Sequence, residues 1–548
     1  MSEPHTVAIA VDSYLYFVDR ALAGMQAILE ELGDDLANSR PPLPGANTPF
    51  GLVTHSLGVV EYWAGRLVAG RNVVRDREAE FEARGRVADL VAAVDRARAQ
   101  LAADVDKLDS AAPPAVTPDP EFQGPELDLD QGGVLVLVLE ELVQHHGQLE
   151  ILRDALLAAP PAVRAFEPPL AWLRAKQGVK WRRPGPDELP AWVADMDYPV
   201  APMIRSALVE AIDRGDLGYP DWFDGRHPLA DAFAARMSSR FGWEADPMHV
   251  RGVTDIIAAL QIVVDLATSP GDGVVLQEPN YPPFRASVPT MGRRIVPLPV
   301  VPDGDTWRHD LDALDVALRN GPGARVLLLV NPHNPTGHVF GAVELEAVAE
   351  LAARHDLLVV SDEIHADLVH APHRHIPFAS LGADVAARTV TVTSATKAFN
   401  IAGLRTAVAH VGPAELRRRW DAEPPDIHGV VSNLGVVATH AAWTAGDVWL
   451  DGVVAHLHRQ RDRLVTGLAD VPGLSLRAPE ATYLAWLDWT GSNLGEDAAE
   501  YFRREAKVYA SPGPDYGGTP DWLRLNFATS SEVLDRIVAQ MRGVVVGR

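Results

Sequence analysis

Arg325-Val326-Leu327-Leu328-Leu329-Val330 runs straight into Asn331-Pro332-His333-Asn334-Pro335-Thr336-Gly337, and the fold is decided by how this stretch is read. A short apolar run closed by an Asn/Pro/Gly turn has the form of a buried strand that delivers a loop. Three more runs share the form: Gly273-Val274-Val275-Leu276, Leu357 to Ser361, and Thr389 to Thr393. They alternate with helical segments such as Glu344 to Arg354, which predicts βαβ units and a largely parallel sheet covered by helices. In such sheets a ligand lies outside the carboxyl ends of the strands. Chemistry is therefore expected in the residues just past each run.

Those residues are Asn331 to Gly337, then Ser361-Asp362-Glu363-Ile364-His365, then Ser394-Ala395-Thr396-Lys397 with Arg405 eight positions on. A lysine at a strand end, near a carboxylate, an amide and an arginine, suits Schiff-base chemistry, because desolvation and nearby cations keep its amine partly neutral. Composition narrows the choice. Among 548 residues there are five lysines, Lys107, Lys176, Lys180, Lys397 and Lys507, so any lysine-dependent step falls to one of them. There is no cysteine, which removes disulfides, thiolate metal sites and cysteine nucleophiles together. A formal charge of −25 argues against nucleic-acid binding by counterion release. The N-terminus lacks the basic and apolar regions of a signal peptide, and the longest apolar run, Val134 to Leu139, is far short of a membrane span. A cytoplasmic protein without membrane partners is expected.

Two proline-rich stretches, Ala111 to Gly133 and Ala158 to Pro169, read as a long loop and an interdomain linker. The expected organisation is a helical domain over 1–157, a linker over 158–171 and an α/β domain over 172–548. Before the linker, helical periodicity covers Ser13 to Leu32, Phe50 to Leu67, Arg86 to Leu108 and Val134 to Leu157, which suggests a four-helix bundle. Thr48 is placed to cap the second helix, with Pro49 in its first turn. Glu141 and His145 stand four apart on one helical face, and His55 from another helix could complete a His/Glu/His metal set.

The ordered set Asn-Pro-His-Asn-Pro-Thr-Gly, Asp-Glu-Ile-His and Ser-x-x-Lys with its arginine resembles the fold type I, aspartate aminotransferase-like pyridoxal-phosphate enzymes, with a large and a small lobe. Within them it resembles the cystathionine β-lyase group, supported by Trp192-Val193-Ala194-Asp195-Met196-Asp197, Gly218-Tyr219 and Leu523-Arg524-Leu525-Asn526-Phe527. The resemblance covers about residues 172–548 and implies pyridoxal 5′-phosphate as cofactor. It implies that Lys397 carries the cofactor and moves the Cα proton, and that Asp362 pairs with the ring nitrogen. Asn334 and His365 would serve the ring 3-oxygen, and Tyr281 would stack on the ring. Ser394, Arg405 and the amides of Val253 and Thr254 would hold the phosphate. Tyr219 would reach the phosphate of a partner subunit in a homodimer, and Arg524 would clamp the substrate carboxylate. The implied reaction is α,β-elimination from a cysteine S-conjugate.

Each residue also has a plainer reading. Asp362 alone could cap a helix, the prolines could only make a turn, His365 could be a packing residue and Arg524 a structural ion-pair partner. Transamination and decarboxylation share the same machinery, so an aminotransferase or a decarboxylating or deaminating relative stays open. A non-enzymatic regulator would need a basic DNA-binding domain, which residues 1–157 do not offer. Those residues, through Gly51-Leu52-Val53-Thr54-His55 and Glu140-Glu141-Leu142-Val143-Gln144-His145-His146-Gly147-Gln148, are similar to DinB-like bundles of the mycothiol-dependent maleylpyruvate isomerase and S-transferase type. That similarity implies a divalent metal, zinc for instance, at His55, Glu141 and His145. This sequence departs from the commoner three-histidine pattern by its glutamate and by Gln148. The pairing of domains suggests that thiol transfer by the first supplies S-conjugates to the second.

Overall fold

The computed structural model describes residues 9–41, 45–106, 108–119, 128–158, 166–219 and 227–547. Two compact units, residues 1–162 and 163–548, are described separately. The bulk of the expected linker, residues 159–165, lies outside the described residues, as do part of the long loop (120–127) and Lys107.

In the first unit the helices are Val11–Ala37, Pro49–Val59, Arg77–Glu82, Val87–Val105 and Gln131–Ala158, with a π-helical turn over Val60–Val68 prolonging the second. Thr48 caps that second helix by accepting from the Gly51 amide at 3.0 Å, and Pro49 occupies its first position. Val18, Leu22, Met25, Val53, Leu101, Val138 and Leu149 close a single core between the helices. The short helix Arg77–Glu82 has no buried residue and so leaves no apolar periodicity in the sequence. Among the described residues, no helix is long and apolar enough to cross a membrane.

The second unit is built on an eight-stranded sheet in the order Val250–Val253, Ala407–Val411, Thr389–Thr393, Leu358–Asp362, Val326–Val330, Gly273–Glu278, Arg294–Asp303, Thr306–His309. The five strands from Thr389–Thr393 to Arg294–Asp303 run parallel, while the strands beyond them at both edges are antiparallel. The sheet is thus mixed, with a parallel centre. Val326–Val330 is buried at every position because both faces are covered. Leu328 and Val330 pack under the helix Ile256–Ala267, whereas Leu327 and Leu329 pack under Leu311–Asn320 and Ala342–Arg354. A second sheet orders Ser475–Leu476, Leu484–Asp488, Trp522–Asn526 and Ser511–Pro512, all antiparallel, and sets Trp486 opposite Arg524. Phe166, Leu170 and Leu173 pack onto the core of this unit, so the chain from Phe166 onward belongs to it.

An irregular strap, Trp192 to Asp197, bent at Val193 and Ala194, crosses the unit with its carbonyls individually held. Asn526 donates to Val193 and Asp195 at 2.6 and 2.7 Å, and Asn400 donates to Met196 at 2.9 Å. At the strap's end the buried Asp197 lies 3.1 Å from the buried Lys180, and the Trp181 indole donates to it at 2.6 Å. Removing one member of a buried ion pair leaves the other charge uncompensated. Lys180→Met is expected to lower stability by about 3–5 kcal/mol, read as a shift in the urea midpoint of the full chain.

Candidate active site

Parallel strands that end together present their next residues to one place. Asp362 closes its strand opposite Val392, and Lys397 follows five residues beyond Val392 on the short helix Ala395–Ala398. Asn334 comes from the loop after Val330, where Gly337 turns with φ of 74° and a side chain would collide with Pro479. The resulting cavity is lined by Thr254, Tyr281, Asn334, Asp362, His365, Ser394, Lys397 and Arg405, among others. Eight of the expected residues therefore meet in one place.

Burial sets the electrostatics. Asp362 is buried, its described hydrogen bond comes from the Ile364 amide at 3.1 Å, and desolvation pushes its carboxyl up to about 7. A buried carboxyl facing a cavity fits a ring nitrogen that carries a proton. His365 is pushed down to about 3 by burial and by the Lys397 and Arg524 charges, so its imidazole is neutral. Among the described residues its Nδ1 is buried without a protein partner, as is Nε of Arg524, and both fit groups that a ligand would supply. Lys397 is shifted downward by burial, against the pull of Asp195, and its Nζ donates to the Ala194 carbonyl at 2.8 Å. These residues fit pyridoxal phosphate.

Arg524 is held on three sides. Its guanidinium donates to Asn334 Oδ1 at 3.1 Å and to the Trp192 carbonyl at 2.7 Å, and it lies 4.8 Å over the Tyr516 ring. Tyr281 packs edge-on against Phe284 and its hydroxyl is raised by burial.

Val253 and Tyr219 stand away from the cavity, whereas Arg405 and Ser394 line it and have protein partners of their own. Val253 is the last residue of its strand and is buried in the core, and the next helix begins only at Ile256 with Asp255 as its cap. The amides at that helix start are those of Asp255, Ile256 and Ile257, whose residues line the cavity. Arg405 pairs with Asp255, and the Ser394 hydroxyl caps its own helix while donating to the Thr406 carbonyl at 2.5 Å. Tyr219 is fully exposed and is not among the residues that line this cavity. Of the two asparagines in the Asn-Pro-His-Asn-Pro-Thr-Gly loop, only Asn334 faces the cavity; Asn331 accepts from the Phe340 amide at 3.1 Å.

Residues 193–541 match the family described as aminotransferase class I and II. The chain belongs to this family. Residues 14–158 match mycothiol-S-transferase, so the N-terminal domain is of the DinB-like kind. The chain is 35% identical over 381 residues to cystathionine β-lyase PatB of Bacillus subtilis, covering 67% of this chain and 97% of that protein. A pyridoxal-phosphate-dependent β-cystathionase structure from Corynebacterium diphtheriae, described as putative, shares 32% identity with a TM-score of 0.64, covering 70% and 99%. The pyridoxal-phosphate-bound C–S lyase of Staphylococcus hominis shares 27% with a TM-score of 0.61, covering 66% and 92%. The chain is thus a pyridoxal-phosphate-dependent enzyme of the C–S lyase and aminotransferase family, and its second unit has the type I fold with a mixed sheet.

In the first unit, ligand atoms of His55, Glu141 and His145 lie within 4.8 Å of one another. Their surroundings include groups that the sequence reading did not single out. The Glu80 carboxylate accepts from His55 Nδ1 at 2.8 Å and from Arg75 at 3.0 Å, and Gln148 Oε1 lies 2.9 Å from His145 Nδ1. Gly58 leaves the space that the Glu80 carboxylate fills. Such contacts orient imidazoles toward a metal.

Folding raises the Asp362 carboxyl from 3.8 to about 7, so the folded chain keeps a proton that the unfolded chain releases between those values. The stability this group contributes is complete below pH 3.8 and is lost as pH rises through about 7. In cofactor-free full-length protein, Asp362→Asn is expected to flatten part of the decline in thermal midpoint across that interval.

Proposed function

We propose that the chain is a carbon–sulfur β-lyase acting on a cysteine S-conjugate, with overall conversion of conjugate and water to thiol, pyruvate and ammonia. The observation that carries this reading is the convergence of Lys397, the buried Asp362 and Asn334 on one cavity, with the Arg524 guanidinium bonded to Asn334 beside it. The similarity to cystathionine β-lyases supports it.

Pyridoxal phosphate, bound through Lys397, supplies an electron sink for the charge that develops at Cα. Asp362 stabilises the protonated ring nitrogen on which that sink depends. Asn334 and the neutral His365 would hold the ring 3-oxygen, and Tyr281 would stack on the ring. Thr254, Ser394, Arg405 and the amides at the start of the helix Ile256–Ala267 form the phosphate end. Arg524 turns its guanidinium from the Trp192 carbonyl to the α-carboxylate, and this orients Cα–H toward Lys397. Lys397 Nζ, as a neutral amine, takes the α-proton while the β-sulfur leaves as thiolate. Tyr219 acts from a second copy in a homodimer.

In the first unit we assign a divalent metal to His55, Glu141 and His145, with an open position for a thiol. The two units would then act in sequence on sulfur conjugates. Zinc is the favoured ion for this nitrogen and oxygen set.

Purified protein is expected to show a visible absorbance band that Lys397→Ala abolishes, and to release pyruvate and thiol in equal amounts from S-alkyl cysteines. Keto-acid-dependent amino transfer without thiol release would replace the lyase reading by an aminotransferase. Metal analysis should find a divalent ion that His145→Ala loses. No metal, together with unchanged lyase turnover after deletion of residues 1–160, would end the coupled reading.

A further inference from the structure

We propose that, when Lys397 is not joined to the cofactor, the Ala194 carbonyl accepts from its ε-ammonium, and that the Tyr483 hydroxyl, bonded to the same oxygen, weakens this acceptor so that the lysine lets go as a neutral amine. The inference rests on Lys397 as the covalent anchor of the cofactor. It makes Tyr483 a positioning and tuning residue that acts through main chain.

One oxygen receives both donors: Lys397 Nζ at 2.8 Å and Tyr483 Oη at 2.9 Å. Tyr483 is fully buried and spends its one O–H on that carbonyl. The chain takes an unfavourable path to place it. Thr482, β-branched and buried, has φ of 71°, a conformation such residues rarely adopt. It is held there by its amide bond to the Leu368 carbonyl at 2.7 Å and by its hydroxyl, which accepts from the Leu484 amide at 3.0 Å. Strain of this kind at the residue before a buried hydroxyl marks that hydroxyl for a task.

The carbonyls on either side of Ala194 are fixed independently by Asn526. Loss of the Tyr483 hydroxyl therefore changes the strength of the Ala194 acceptor more than its position. An oxygen that already accepts from a phenol has less density to offer an ammonium. The other charged or titratable groups facing Nζ are Asp195, Asp362, Arg524 and His365; the Tyr483 ring packs edge-on to His365 at 6.1 Å, a contact that phenylalanine and 3-fluorotyrosine both keep.

Covalent capture of the cofactor reports on this amine directly. Nζ must be neutral to attack the aldehyde carbon, a carbon–nitrogen double bond forms, and the aldehyde oxygen leaves as water. Full-length protein stripped of cofactor is mixed with pyridoxal 5′-phosphate, and the growth of the visible band is followed against pH. In Tyr483→Phe the midpoint of the rate–pH profile is expected to move up, with capture roughly three- to tenfold slower below it, the scale of one hydrogen bond. Tyr483→3-fluorotyrosine keeps the shape, has a stronger O–H donor, and is expected to move the midpoint down; it decides the question alone should the phenylalanine variant not fold. Profiles that superimpose on the parent's, or that shift in the same direction for both variants, overturn the inference. A Lys397→Ala chain that develops the same band overturns the lysine assignment beneath it.

Discussion

Desolvation at the ends of adjacent parallel strands governs the C-terminal unit. Strand register puts Asp362 and the Lys397 helix side by side, and closing helices over the sheet takes both away from water. In water the two would be an ordinary carboxylate and an ordinary ammonium. In the cavity the carboxyl rises to about 7 and the amine is shifted downward from its ordinary value, both because burial penalises the charged form. The surrounding architecture keeps that unfavourable arrangement in place. Buried carbonyls of the strap absorb the cations, and a buried Lys180–Asp197 pair ties off the strap's end.

The strap connects the two halves of the site. Its Trp192 carbonyl engages Arg524 and its Ala194 carbonyl engages Lys397, two residues apart on one segment. The strand Trp522–Asn526 contributes both the guanidinium and, two residues on, the amide that fixes the strap. One strand thus sets the carboxylate clamp and the backbone against which the lysine rests. Alternation along a strand explains the pairing, since Arg524 and Asn526 project to the same face.

Much of the C-terminal site was legible in the sequence because its residues follow strands directly. A strand that ends at Val330 or Thr393 dictates where Asn334 and Lys397 must appear. The parallel centre was legible for the same reason, whereas the antiparallel edges were not, because direction at an edge depends on which neighbour the strand meets. The helix start lies beyond Val253 and Thr254: Val253 is apolar and completes the strand, and Asp255 caps the helix. Tyr483, Tyr516 and Glu80 carried no pattern. Tyr483 lies far along the chain from Ala194, and although Tyr516 and Glu80 are nearer to Arg524 and Arg75, all three stand in segments whose composition is that of ordinary core or surface.

The amino-acid sequence alone determined the kinds of chemistry open to this protein. The absence of cysteine removed thiol nucleophiles, any lysine-dependent step was confined to five positions, and the motif order pointed to Lys397 among them. Helical periodicity before the proline-rich linker and strand–helix alternation after it determined two different domains. Only the tertiary structure decided the protonation behaviour of the site, the partners of Arg524 and the environment of His55. These depend on which distant groups exclude water from one another, and local spacing carries no record of that.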